Sequence, residues 1–250
     1  MEISVRKFAL LPLLALTAAS LSTSASAQSG SFIVSQHGHA VGTASYKFTA
    51  EGNGYDSTSV ARIAMQGLNY NLSKTERLSS ANLLQHALLN ATVNDTAVTV
   101  TAAPDAAQIL LNISANGKSS TTRLEKHPAA VLIPDFDPGA LETLLALSVA
   151  HNNSGLWAIL PKQAGSTVPI RLATYADERG SLDGQPIAVH HLVATIAGSN
   201  TDLFSGPQNQ LLQAELPQQG FALVRKGFFL TPPAKPGAPP AQTDAAAPRQ

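Results

Sequence analysis

The chain has 250 residues, with 16 basic and 16 acidic side chains, no cysteine, 44% hydrophobic residues, 5% aromatic and 13% charged. A net charge of zero excludes the basic field that holds nucleic acid and the acidic field that collects cations. Without cysteine there can be no disulfide, thiolate metal site, cysteine nucleophile or lipid-modified cysteine, and a surface with so few charges must be built from Ser, Thr, Asn and Gln.

Residues 1–27 have the form of a secretory signal. Arg6 and Lys7 precede an apolar run over residues 8–21, and Ala25-Ser26-Ala27 supplies a small-residue cleavage site. The run is short and ends in Ser and Thr, so cleavage after Ala27 is expected rather than retention as an anchor. Loss of Arg6, Lys7 and Glu2 leaves a net charge near −1. The expected destination is a bacterial periplasm or the medium, with no transmembrane segment after cleavage.

Residues 40–50 alternate, with Ala40, Gly42, Ala44, Tyr46 and Phe48 on one face of a predicted strand. Glu51-Gly52-Asn53-Gly54 makes a hairpin connection, and residues 57–65 continue with Ala61, Ile63 and Met65 inward. After Gly67, the residues Leu68, Tyr70 and Leu72 alternate with Asn69, Asn71 and Ser73, in a pattern running out through Arg77. Residues 82–90 suit a strand or a short helix, and strand is favoured. Further strands are predicted at 96–102, 108–114 and 119–126, the last two joined by the hairpin signal Asn116-Gly117.

Residues 131–161 hold the strong helix signal. Asp137 is placed as an N-cap, with Pro138 at the first helical position, where a missing N–H costs nothing. Leu141, Leu144, Leu145, Ser148 and Val149 recur at helical spacing, while Leu147 falls on the other side. The apolar surface of a helix over 138–149 therefore nearly encircles it and needs cover on more than one side. Burying five large aliphatic side chains is worth roughly 10 kcal/mol. At ~20 Å the helix is too short to cross a bilayer. The turn residues His151 to Gly155 stop it.

Strands are predicted again at 156–160 and 168–175, followed by a polar loop over 176–185. Residues 186–197 form the longest predicted strand; both faces are apolar, which suits a central position. Residues 202–204, 211–216 and 221–229 complete a meander. Residues 231–250 are Pro/Ala-rich and are expected to be disordered, because they lack the large apolar side chains that would offset ordering entropy. The expected fold class is mainly β with one central helix: a curved antiparallel sheet, or open half-barrel, clasping the helix in a single domain over residues 28–230.

This order of elements resembles uncharacterised periplasmic β-proteins similar in shape to the lipoprotein-carrier (Lol-type) half-barrels. The resemblance spans residues 40–229 and rests on the closing stretch AVHHLVATIAGSNTDLF…QNQLLQAELPQQGFALVRKGF, with the closing strands at 201–204, 207–210 and 211–215. It implies an open cavity between sheet and helix that could hold an acyl chain or another apolar group, and it carries over no catalytic residue. The chain departs from the pattern in its Pro/Ala tail and in having few large aromatics.

Candidate chemistry is sparse. His190 and His191 are successive strand residues and point to opposite faces, so they cannot share one site. His37-Gly38-His39, with His86 or His127, could place imidazoles near one another, but this spacing next to an N-terminus expected to fray gives no metal site. Asp135 and Asp137 put two carboxylates beside the helix start, where capping accounts for the second. There is no nucleophile elbow, phosphate loop, dinucleotide fingerprint or zinc-protease helix. Asn71-Leu72-Ser73 and Asn112-Ile113-Ser114 would matter as glycosylation triplets only in a host that modifies exported proteins.

The expected function is that of an exported, non-enzymatic envelope protein. It would bind an apolar small molecule, such as a lipid or acyl group, through Leu141, Leu144, Leu145, Trp157 and His191, without cofactor or metal. The alternatives are a structural adaptor contacting envelope partners, and a hydrolase using His190 or His191 with a carboxylate such as Asp135 or Asp183.

Overall fold

A computed structural model describes residues 28–162 and 165–232. The expected signal segment and residues 233–250 of the expected disordered tail lie outside the described residues. The first eight strands are consecutive: β1 (Ser29–Gln36), β2 (His39–Glu51), β3 (Gly54–Met65), β4 (Leu68–Ser79), β5 (Leu84–Val93), β6 (Thr96–Asp105), β7 (Gln108–Ala115) and β8 (Lys118–Glu125). Each pairs antiparallel with the next, and Asn116-Gly117 turns β7 into β8 with both residues at positive φ.

The chain then enters β9 (Ala129–Leu132), α1 (Pro138–Ala150) and β10 (Leu156–Leu160). β10 pairs with β9 in parallel, the one departure from antiparallel pairing among the described residues. Parallel neighbours need a crossover, and α1 is that crossover. Strands β11 (Ser166–Thr174), β12 (Glu178–Leu182), β13 (Gln185–Ile196), β14 (Ser199–Ser205), β15 (Leu211–Leu216), β16 (Phe221–Arg225) and β17 (Phe228–Leu230) follow. β13 is long enough to pair with β12 along its first half and with β11 along its second. From β13 the ladder continues through β14, β15 and β16 to β1, which joins the two halves.

The sheet is curved. α1 touches β3 and also β9, which stand nine steps apart along the ladder, about 40 Å in a flat sheet, whereas a helix is only about 10 Å thick. The sheet can meet the helix at both places only by bending around it. Inward positions of the strands pack on Leu144, Leu145 and Leu147 in one continuous core. A smaller core of Val189, Phe204, Leu212 and Phe228 lies on the other face, so β15 is buried on both faces along Leu211–Ala214. Among the described residues no helix is long and apolar enough to cross a membrane.

The fold class is therefore as the sequence indicated, with local differences. The stretch 207–210, expected as a closing strand, is the turn between β14 and β15, and β9 forms where no strand is predicted. β1 occupies the seam of the ladder, at an N-terminus expected to fray. The predicted polar loop 176–185 contains β12, a short weakly patterned segment whose strand character comes from pairing with β13 and β17. The predicted strand 221–229 is two strands, parted at Lys226-Gly227, where Gly227 takes φ +81°.

The helix start is pinned by charge. Asp137 Oδ1 accepts hydrogen bonds from the Gly139 and Ala140 amides at 2.9 and 3.2 Å, the capping role read from sequence. Its other oxygen lies 2.7 Å from Lys74 Nζ, and Lys74 also reaches Glu76 at 3.0 Å; all three side chains are buried. Burial works against the Lys74 charge, yet the two carboxylates outweigh it and hold the ammonium above its ordinary range. Burial pushes the Glu76 carboxyl up against the pull of Lys74. Asp137→Ala removes the cap and half of the compensation for Lys74, so it should cost about 3–5 kcal/mol in urea unfolding. Asp137→Asn, which keeps the capping oxygen, should cost less.

Candidate functional site

Glu142 is one turn into α1, where the helix is buried on almost every side, so its carboxylate must be satisfied inside the protein. The Leu211 amide donates to Oε2 at 2.7 Å, and the side-chain amide of Gln28 donates to Oε1. Tyr46 adds a third hydrogen bond, and Arg225 stands behind it, 3.5 Å from the Tyr46 hydroxyl. Arg225 is itself held by the Leu211 and Ser29 carbonyls at 3.3 and 2.6 Å. Burial pushes the Glu142 carboxyl up to about 7, against the pull of these hydrogen bonds and of Arg225. Burial, and then the charge of Glu142, raises the Tyr46 phenol.

Glu142 lines a cavity of about 370 Å³ between α1 and the rim of β2 and β3. Phe48, Ala50, Tyr55, Ala146 and Val149 form its apolar wall; Gln28, Asn82, Gln208 and Asn209 supply carboxamides. Val149 is 56% exposed, unusual for a large aliphatic side chain on an otherwise buried helix. An apolar chamber with a few convergent polar groups and one perturbed carboxyl is the arrangement of a small-molecule site.

The residues selected from sequence fall in separate places. Leu144 and Leu145 are packed in the core. Leu141 lines a different cavity of about 230 Å³, rimmed by the Asp135–Lys162 ion pair at 2.8 Å. Trp157 stacks flat on His127 with ring centroids 3.5 Å apart. His191 is sandwiched between Tyr175 and Phe204. Its Nε2 lies 3.0 Å from Asp202 and its Nδ1 3.4 Å from Glu178, whereas His190 Nδ1 meets Asp177 at 2.9 Å. The carboxylates beside the two rings are thus Asp177, Glu178 and Asp202, rather than Asp135, which pairs with Lys162, or Asp183, which sits in the β12–β13 turn. Both nitrogens of His191 face carboxylates, which leaves neither to take a proton from a nucleophile. Among the described residues no group of three His, Asp or Glu side chains could hold a metal ion.

Sequence reasoning passed over Glu142, Lys74 and Glu76. A signal existed for each. Lys74 and Glu76 continue the inward register of Tyr70 and Leu72 on β4, and Glu142 is the only charge on a helix apolar nearly all round. Compared with family models, curated proteins and solved structures, the chain matches none.

An acid whose folded pKa lies above its unfolded one favours the fold most while both states hold the proton, and loses that contribution across the window in which only the unfolded chain has released it. With Glu142 moved from 4.5 to about 7, stability should fall as pH rises across that window, by up to about 3 kcal/mol, and level off above it. Glu76 contributes a slope of the same sign. The difference between wild type and Glu142→Gln in urea unfolding at several pH values isolates the Glu142 part, and the variant should show the shallower slope.

Proposed function

We propose that this is an exported, non-enzymatic envelope protein that binds a small amphipathic molecule in the cavity beside α1. The observation that carries this reading is Glu142, a buried and titratable carboxyl on the wall of a cavity that pairs an apolar side with four carboxamides. Export is supported by the signal-like residues 1–27.

The chemistry of the wall defines the ligand. Leu144, Leu145 and Leu147 fill the space under the middle of the helix, so in this cavity an apolar group would rest on Phe48, Tyr55, Ala146 and Val149. A volume of about 370 Å³ suits a small molecule or the head-proximal end of an acyl chain. The head group would meet Glu142 and the neighbouring carboxamides. Below about pH 7 the carboxyl is protonated and donates a hydrogen bond; above that pH it accepts one from a hydroxyl, amide or ammonium.

Native mass spectrometry of protein purified from its own host should detect a co-purifying small molecule. Ala146→Trp, which fills the cavity, should abolish the adduct, and Glu142→Gln should weaken it by about tenfold if one charge-assisted hydrogen bond is lost. A wild-type protein without adduct, or an adduct that survives Ala146→Trp, would overturn the reading.

A further inference from the structure

The outward face of β1 to β8 carries a second feature, remote from the cavity. Cross-strand register aligns one row through Ser45, Ser73, Asn90, Thr99, Ser114 and Ser119, with Val60 between the first two. Ser31 extends the row onto β1. A parallel row runs through Thr101, Asn112 and Thr121. The side chains are held in fixed orientations by cross-strand hydrogen bonds. Thr99 donates to Asn90 Oδ1 at 3.1 Å, Asn112 donates to Thr101 at 3.2 Å, and Thr121 donates to Asn112 Oδ1 at 2.7 Å. With its carbonyl engaged, Asn90 presents its NH₂ outward as a donor.

Two depressions lie along this face, of about 470 and 170 Å³, and they share Val60 and Arg62. Asn71, Ser73, Asn90 and Thr99 line the larger one, and Ser31, Ser45 and Lys226 the smaller. No acidic side chain lines either, and Arg62 has no ion-pair partner among the described residues. The groove therefore offers neutral donors and acceptors in file, together with two cations. Of the exposed large apolar side chains among the described residues, Val149, Tyr175 and Phe229 belong to other elements or loops, and only Ile33 of β1 stands on this face, at its edge, too little for the apolar centre of a protein interface.

We propose that this face binds a polysaccharide strand bearing carboxylates, laid across the strands along the Ser–Asn–Thr row. The fit is one of spacing and charge. Neighbouring strands are ~4.8 Å apart, close to the length of one pyranose unit, so successive sugars meet successive strands over about 30 Å. Sugar hydroxyls pair with the hydroxyls and carboxamides, and a uronate carboxylate takes the fork of Arg62 with Lys226 beside it.

The test is affinity electrophoresis of the exported protein through gels containing alginate, a polyuronate, or dextran, a neutral glucan. Alginate should retard the protein and dextran should not. Arg62→Gln should weaken the alginate interaction by about tenfold, the loss of one charge-assisted contact, and Asn90→Leu should weaken it measurably. Both positions are exposed, and circular dichroism of the variants checks the fold. Arg171→Gln, an equal loss of charge on β11 in the other half of the sheet, should leave retardation unchanged. No retardation by alginate, equal retardation by dextran, insensitivity to Arg62→Gln, or an equal loss in Arg171→Gln would each overturn the proposal.

Discussion

The architecture depends on one buried interaction, the contact of Asp137 with Lys74. A single carboxylate performs two tasks: one oxygen closes the first turn of α1, and the other neutralises an ammonium on β4. Neither group could be buried alone, because an unpaired charge away from water costs several kcal/mol. Together they fix the axial position of the helix on the sheet, which apolar packing would leave free to slide. The hydrophobic effect is non-directional, and a helix apolar nearly all round has no face that prescribes its rotation or height. The ion pair supplies that missing specification.

Placement of the helix then determines the rest. Because α1 is the crossover between parallel β9 and β10, it draws the last strands of the ladder onto the same cylinder as β2 and β3. The sheet must bend to reach it. Bending closes the core over Leu144, Leu145 and Leu147 and leaves a gap along one side of the helix, past Glu142, Thr143, Ala146 and Val149. Glu142 stands where the filled and open parts meet, which explains both its burial and its access to the cavity.

Most of the strands were legible because one face of the sheet is buried and the other wet, and that contrast imprints a period of two on the chain. Residues 40–50, 57–65 and 108–114 carry it plainly. The helix was legible from the Asp137-Pro138 start and the leucine spacing that follows. β12 was not, since a five-residue segment containing Arg, Gly and Ser acquires its strand state from neighbours far away in sequence. β1 was missed for a related reason: its position at the seam depends on β16, almost two hundred residues on. The candidate site was less legible still. Histidines and leucines stand out in the sequence, whereas the groups that converge on the cavity are a glutamate and four carboxamides, residues that in any sequence are most often solvent-facing.

What the sequence determined by itself was local: alternation, turns, the helix and its cap, and a chain without cysteine or strong net charge. Tertiary structure alone decided the parallel pairing around α1, the burial of Lys74, Glu76 and Glu142, and the alignment of Ser, Asn and Thr into rows. The physical reason is the same in each case. A period or a cap is settled by neighbours within a few residues, whereas the environment of a charge and the register of a row are settled by strands that meet only after the sheet has curved.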